Sequence, residues 1–273
     1  RTGMNMGALT KMKAWFDPAT PAEEGVVHYA LRVGAHEVPM AERIGRSFSL
    51  RFTGQMTCVS CGRGVKKFYG QGFCFPCFRD APEAAECIVR PELCRAHLGE
   101  GRDPQWERDH HDTEHFVYLS HTGGIKVGVT RGTQVPTRWI DQGASLAVLI
   151  ARTPYRQLAG AIEVALKTHF ADKTNWRKML GPVDVDPTIM MEARAGLLEK
   201  LPTELHTYLL PNEAPQRITY PLLAAPPKVT SINLEKDHEV NGILAGIKGQ
   251  YLVFDDGRVL NVRNHSGYHV ALE

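Results

Sequence analysis

The sequence predicts an α+β protein whose N- and C-terminal strands close one small β barrel around an inserted middle region. The 273 residues exceed the usual length of one domain, and 43% of them are hydrophobic, which is enough for a folded core. Both ends carry short apolar segments with glycine turns, and neither end looks self-sufficient. Between them lie a cysteine-rich segment and a stretch of alternating strands and helices.

The two ends of the chain are predicted to be β-structure. The N-terminal segment, residues 1–57, has strand-like patterns at 26–33 and 48–52. The C-terminal segment, residues 211–273, opens with a proline-rich connection and then returns to β character. Its three strand-like stretches are residues 243–247, 251–254 and 259–262, with a hairpin turn at 255–258. Packing these two segments together would complete the barrel.

Residues 58–115 form a predicted inserted module. All six cysteines lie in it, between Cys58 and Cys94, and aliphatic residues are few. Such a segment cannot bury enough apolar surface to fold without an added staple, which clustered cysteines supply by binding a metal.

Two Cys-x-x-Cys pairs give the clearest signal in the sequence. Cys58 and Cys61 form the first pair, and Cys74 and Cys77 form the second. Four thiolates close a tetrahedron around Zn²⁺ and leave no open position for substrate, so we predict a structural zinc site. The matched form of the two pairs favours this interpretation over a redox pair or four unrelated thiols.

A second metal site is predicted from mixed ligands. The preferred set is Cys87, Cys94, His97 and His111, because zinc accepts combinations of cysteine and histidine. The alternative is that the cysteines are buried thiols and the histidines are solvated. One or two structural zinc ions are therefore expected.

Residues 116–210 are predicted to form a mixed α/β domain. Strands at 116–120 and 125–129 flank a glycine-containing hairpin loop. A short helix at 136–142 and a buried strand at 145–151 follow, and Thr153 then caps a helix with an apolar stripe. The predicted order is β-β-α-β-α.

These residues resemble two known families. The strand pair 117–119 and 126–130, followed by Arg131, Arg138 and Glu163, resembles the GIY-YIG nuclease superfamily, whose compact domain begins with such a hairpin. Over nearly the whole chain, the sequence also resembles a bacterial family, domain-of-unknown-function family 2797. The stretches that carry this second resemblance include residues 89–94, 126–131, 136–144, 172–176 and 246–251.

The nuclease resemblance implies roles for three residues. Glu163 would hold a divalent ion such as Mg²⁺, Arg138 would clamp a phosphate, and Tyr118 would position water or phosphate. Val127 stands where these nucleases carry a tyrosine that is a candidate general base, and its side chain cannot transfer a proton. Alternatively, Glu163 forms an exposed helical ion pair with Lys167, Tyr118 is a core residue, and Arg138 is solvated.

Nucleic acid is the partner that the sequence favours. Candidate binding residues are Lys126, Arg131 and Arg138, together with Trp176, which could stack on a base or close a helix against the core. Basic residues also lie between the two cysteine pairs: Arg63, Lys66 and Lys67. The formal net charge of only +2 excludes a polycation, so any such surface must be local.

Three functions remain open at this stage. The first is a zinc-binding nucleic-acid-binding protein, the second a metal-dependent nuclease, and the third a protein-interaction adaptor. The longest apolar run, residues 146–151, is too short to span a membrane, and no secretory signal is evident. We therefore expect a cytoplasmic protein with no membrane partner.

Overall fold

A computed structural model describes residues 5–171, 173–181, 184–211 and 213–273. Asp172, part of one stretch that carries the family resemblance, lies outside these ranges, as does the start of the predicted N-terminal segment. The chain divides into two compact units. The first unit comprises residues 1–79, 180–182 and 219–273, and the second comprises residues 80–179 and 183–218.

The described residues form fourteen strands and seven α-helices. The strands are β1 (Asn5–Phe16), β2 (Val27–Val33), β3 (His36–Pro39), β4 (Ser47–Thr57), β5 (Gly64–Val65), β6 (His115–His121), β7 (Ile125–Arg131), β8 (Leu146–Thr153), β9 (Gln216–Arg217), β10 (Thr230–Ser231), β11 (Glu239–Lys248), β12 (Tyr251–Phe254), β13 (Arg258–Asn261) and β14 (Tyr268–Leu272). The helices are α1 (Phe75–Asp80), α2 (Pro104–His110), α3 (Thr137–Asp141), α4 (Arg156–Leu166), α5 (Trp176–Leu180), α6 (Thr188–Ala195) and α7 (Leu197–Lys200).

Ten strands of the first unit form one sheet. Its order is β10-β13-β12-β11-β4-β14-β1-β2-β3, and β5 pairs with β4. The terminal segments do share this sheet, because β14 lies between β1 and β4. The predicted closed barrel is wrong: within the described residues, β3 and β10 stay at opposite edges. These edge strands are only four and two residues long, too short for the extended pairing that closure needs.

Alternating apolar residues explain the central strands of this sheet. Phe48 and Leu50 on β4 and Leu31 on β2 are fully buried, as expected from a period of two. The register of β1 against β2 shifts between Thr10 and Lys13. Beside this bulge, the buried Gln250 amide accepts from the Met12 N–H at 2.7 Å and donates to its carbonyl at 3.1 Å. The backbone N–H and C=O groups of Met12 therefore have hydrogen-bond partners despite the bulge.

The second unit contains the mixed α/β part of the fold. Its sheet has the order β7-β6-β8-β9, and β6 is antiparallel to both β7 and β8. The predicted β-β-α-β-α order is observed as β6, β7, α3, β8 and α4. Apolar residues of the sheet, α4, α6 and α7 form one buried core, which includes Val117, Leu119, Val127, Val148, Ile150, Ile162, Leu166, Met190 and Leu197.

Among the described residues, no helix has both the length and the hydropathy needed to cross a membrane.

Candidate functional site

The four cysteines of the first cluster, Cys58, Cys61, Cys74 and Cys77, lie close together in the first unit. Their sulfur atoms are all within 4.8 Å of one another. The Sγ atoms of Cys61 and Cys74 are 3.7 Å apart. A tetrahedron with its centre ~2.3 Å from each sulfur has an edge of about 3.8 Å, so this spacing fits a zinc ion held by four thiolates.

Local turns bring the two cysteine pairs together. Cys58 directly follows β4. Its N–H donates to the Arg63 carbonyl at 2.9 Å, and its carbonyl accepts from the Gly62 N–H at 2.9 Å, so the backbone forms a tight turn around Cys61. Gly62 has φ +72°, a left-handed conformation that favours glycine. The second pair lies at the start of α1, where the Cys74 N–H donates to Cys58 Sγ at 3.2 Å.

The thiols of this cluster differ in acidity. A hydrogen bond from the Arg63 backbone is the main cause that lowers the pKa of Cys61 to about 6, and the Arg63 guanidinium also donates to its sulfur at 3.2 Å. A hydrogen bond with Ser60 lowers the pKa of Cys77, but burial and the neighbouring thiols outweigh it and raise this pKa to about 12. The pKa values shift in opposite directions because a thiolate at one cysteine disfavours a second negative charge at its neighbours. A bound cation would offset this repulsion between thiolates.

A second cluster lies in the second unit, and its members differ from the predicted set. Donor atoms of Cys87, Cys94, Glu107 and His111 are all within 4.8 Å of one another. The structure does not bring His97 into this group, because its ring stacks on Tyr155 at 4.4 Å between centroids. Sequence reasoning missed Glu107, although its position four residues before His111 puts the two on one helix face.

Helix α2 carries Glu107, and His111 is the residue that directly follows the helix. Asp103 caps the helix, with Oδ1 accepting from the backbone N–H of Gln105 at 3.0 Å and of Trp106 at 3.1 Å. Glu107 and His111 are each only 3% exposed, and the carboxylate contacts His111 Nδ1. The indole of Trp106 lies edge-on to the His111 ring, with centroids 4.9 Å apart. Glu107 and His111 therefore form a pair of potential metal ligands that is shielded from solvent.

The two cysteines of this cluster come from short 3₁₀ turns. Cys87 lies in the turn Glu86–Ile88, and Cys94 follows the turn Pro91–Leu93. A hydrogen bond between the two thiols lowers the pKa of Cys94 to about 4 and raises that of Cys87. When no cation is present, Cys94 therefore favours the thiolate form and Cys87 favours the protonated thiol.

Tyr118, Arg138 and Glu163, the residues of the nuclease resemblance, interact electrostatically in the second unit. Tyr118 is fully buried on β6, and its hydroxyl donates to Gln142 Oε1 at 2.8 Å. Burial raises the pKa of Tyr118, the positive charge of Arg138 opposes this rise, and the Glu163 carboxylate adds to it. Arg138 and Glu163 thus each lie within electrostatic range of Tyr118.

The carboxyl group of Glu163 is largely removed from water. Glu163 is 8% exposed on α4, and burial raises its pKa while Lys167, Arg156 and Lys126 act in the opposite direction. The predicted pair with Lys167 is present, with Nζ and Oε2 3.8 Å apart, but its acidic partner is buried rather than exposed. Glu163 is therefore a buried ionisable group and not a solvated surface residue.

The register of β6 and β7 changes the interpretation of Val127. Val127 pairs with Leu119 and lies in the apolar core, on the face opposite Tyr118. Tyr118 pairs with Gly128, and Ser120 pairs with Lys126. Directly paired residues share a face, so the β7 side chains on the Tyr118 face are Lys126 and Thr130, two positions before and after Gly128.

The predicted nucleic-acid-binding residues do not form one exposed face. Lys126 is 5% exposed, and its Nζ lies 3.5 Å from Thr174 Oγ1. Arg131 and Arg138 are half-buried, and burial lowers the pKa of Arg131. Trp176 is half-buried, with the Arg177 guanidinium 4.2 Å from its ring centre.

An exposed basic and aromatic surface is instead found beside the first cysteine cluster. We call Arg63, Lys66, Lys67, Tyr69 and Phe75 the knuckle face. Its basic residues are all exposed, as are Tyr69 (39%) and Phe75 (51%). The two aromatic rings meet edge-on at 5.2 Å, and Lys67 Nζ lies 5.3 Å from the Tyr69 ring centre. The cations were expected from the sequence, whereas the aromatic pair was not.

A family model described as "protein of unknown function" matches residues 45–270, which is most of the chain. No curated protein and no solved structure matches. The chain therefore belongs to the DUF2797 family of proteins of unknown function.

Proposed function

We propose that the protein binds zinc through the first cysteine cluster and uses the knuckle face to bind single-stranded nucleic acid. The observation that carries this proposal is the exposed Tyr69–Phe75 pair, flanked by Arg63, Lys66 and Lys67. Zinc would stabilise the conformation of this surface, because all four zinc ligands lie within residues 58–77, which also contain the knuckle face.

The chemistry of the knuckle face suits an unpaired strand. Lysine and arginine bind phosphates without reading sequence, and exposed aromatic rings stack on unpaired bases. Exposed aromatic side chains beside cations suit a partner with both anionic and flat apolar parts. Tyr69 and Phe75 offer the flat surface, and Lys67 lies close enough to reach a phosphate next to a stacked base.

The net charge predicts how salt affects binding, and the free thiols indicate the redox compartment. With a formal net charge of +2, the protein has little long-range attraction for nucleic acid, so affinity should be modest and salt-dependent. All six cysteines are free thiols. Free thiols gathered for metal binding suit a reducing compartment, and we place the protein in the cytoplasm as part of this proposal.

A binding assay with paired charge variants tests the proposal. Fluorescence anisotropy with labelled single-stranded DNA and RNA should show that Lys66→Glu with Lys67→Glu loses at least tenfold in affinity and has a smaller salt slope. The matched control, Lys228→Glu with Lys236→Glu, makes the same charge change at exposed positions and should bind within about threefold of wild type. Equal losses in both variants would contradict a local site, and absent wild-type binding would favour the adaptor hypothesis.

A metal-dependent nuclease is the second candidate. The observation that favours it is the burial of Tyr118 and Glu163 in a unit of β-β-α-β-α order, with Arg138 and Glu163 each close enough to Tyr118 to influence its charge. If Mg²⁺ binds there, it would polarise a phosphate, with Glu163 as its protein ligand and Arg138 offsetting developing charge. Lys126, on the Tyr118 face, would be the nearest counterpart of the missing second tyrosine.

Cleavage assays separate this candidate from binding alone. Glu163→Gln should abolish Mg²⁺-dependent cleavage of DNA or RNA and leave anisotropy-measured binding unchanged. Glu192→Gln, an exposed position on α6, is the matched control and should cleave like wild type. Cleavage that survives Glu163→Gln would remove Glu163 from the mechanism.

A further inference from the structure

We propose that Cys87, Cys94, Glu107 and His111 bind a second structural Zn²⁺, with Glu107 in the place that the sequence suggested for His97. This site lies in the second unit and does not depend on nucleic-acid binding. It differs from the first cluster in donors, burial and the elements that supply them.

The donor atoms have spacings that suit a small cation. All four lie within 4.8 Å of one another, and Cys87 Sγ is 3.9 Å from His111 Nδ1. Sulfur and nitrogen ligands on one tetrahedral zinc are about 3.6 Å apart. Two thiolates, an imidazole and a carboxylate are all ligands that zinc accepts, and the thiolates disfavour magnesium or calcium.

The charge of the site also calls for a cation. Cys94, Glu107 and His111 are at most 3% exposed, so two thiolates and a carboxylate would be costly without compensation. Zn²⁺ would offset two of these three charges. The guanidinium of Arg156 supplies the remaining positive charge, and it donates to the carbonyl oxygens of Cys87 at 3.0 Å and Ile88 at 2.9 Å.

Arg156 also connects the two halves of the site. Its guanidinium holds the turn that carries Cys87, and its backbone N–H donates to the His111 carbonyl at 2.9 Å. Arg156 is the first residue of α4. Groups that orient metal ligands from outside the coordination sphere typically make such contacts.

The segment around the site lacks a core of its own. Residues 81–114, all of them described, form α2 and short 3₁₀ turns but no strand. Several of its large apolar side chains face solvent, including Val89 at 70% and Leu98 at 56% exposure. A metal would stabilise such a segment as a staple does in a small domain.

A second zinc would also brace α4 in its present position. A Cβ added to Gly160 on α4 would lie 2.2 Å from the Glu92 backbone nitrogen, so the helix packs directly on the turn Pro91–Leu93. Cys94 follows that turn. The zinc would thereby support the helix that carries Glu163.

Zinc content of the purified full-length protein tests the proposal. Inductively coupled plasma mass spectrometry should find two zinc ions per wild-type chain. It should find one in Cys87→Ser with Cys94→Ser, and one in the matched variant Cys58→Ser with Cys61→Ser. His97→Ala should retain two, whereas Glu107→Gln should lose the second zinc to a competing chelator at lower chelator concentration. One zinc in wild type, or loss of one in His97→Ala, would overturn the assignment.

Two further measurements keep the test decisive if a cysteine variant fails to fold. Cobalt substitution of the wild type should give sulfur charge-transfer absorption from six thiolates, about half as much again as the four thiolates of the first cluster alone would give. Titration of the denatured wild type without reductant should count six thiols. A count of four, with Cys87 and Cys94 joined as a disulfide, would contradict the metal site.

Discussion

The two cysteine clusters reach similar donor spacings by different routes. The first uses two turns within residues 58–77, and its Cys61 is exposed. The second combines two 3₁₀ turns with one face of α2, and Cys94, Glu107 and His111 are buried. A site built from turns is specified by local spacing, whereas a site built on a helix depends on how that helix packs. The comparison predicts different stabilities and different solvent access for metal ions bound at the two clusters.

Zinc removal should have the largest effect. Structural zinc contributes ~10–16 kcal/mol in zinc-finger peptides, so a strong chelator should lower the unfolding temperature more than any single substitution below. Release should occur in two phases of equal amplitude, because the first cluster contains the exposed Cys61, whereas three of the four ligands in the second cluster are buried and none is exposed. Stopped-flow measurement with a fluorescent zinc chelator reports the phases. A single phase would show that the two sites do not differ in access.

Glycine substitutions should come next. Gly72→Ala near the first cluster introduces a Cβ 2.6 Å from Val59 at φ +85°, and Gly160→Ala meets backbone at 2.2 Å. We expect each to reduce the free energy of unfolding by about 2–3 kcal/mol. Gly64→Ala is the control, because its Cβ would meet nothing within 4 Å. Urea denaturation measures all three, and a neutral Gly160→Ala would contradict the close packing of α4.

Acid should weaken the second unit through His115. Burial lowers the pKa of His115 from 6.5 to about 3, so the unfolded state takes up a proton first as the pH falls. The free energy of unfolding should therefore decrease from near pH 6.5 downward, by about 1 kcal/mol over the first pH unit. His115→Gln should remove this part of the pH dependence. Urea titrations of both proteins at several pH values give the difference, and parallel profiles would contradict the prediction.

Tyr69→Ala should have the smallest effect on stability. Tyr69 is exposed, so the free energy of unfolding should change by about 0.5 kcal/mol or less. Loss of a stacking ring should nevertheless weaken single-stranded oligonucleotide binding by roughly 1–3 kcal/mol. Anisotropy and urea denaturation on the same preparation separate the two effects. A large loss of stability with unchanged binding would mean that the ring is structural.

Tertiary packing accounts for the differences between the predicted and observed folds. The hairpin of β6 and β7 and the helix α4 follow from short-range signals, namely alternation, a glycine loop and an apolar stripe. Barrel closure requires pairing between strands far apart in the chain, and the short edges β3 and β10 do not supply it. Val127 illustrates the same limit, because only the register shows that Lys126 shares the face of Tyr118.

The sequence by itself determined the first cysteine cluster, the β-β-α-β-α order and the return of the C-terminal strands to the N-terminal sheet. The first two features depend on spacing and periodicity, which operate over a few residues, and the third follows from two apolar ends that are each too small to fold alone. The tertiary structure alone decided that Glu107 joins Cys87, Cys94 and His111, and that Glu163 is buried. The four-residue spacing of Glu107 and His111 is a local signal, but their approach to Cys87 and Cys94 and the burial of Glu163 arise from packing between separate segments of the chain.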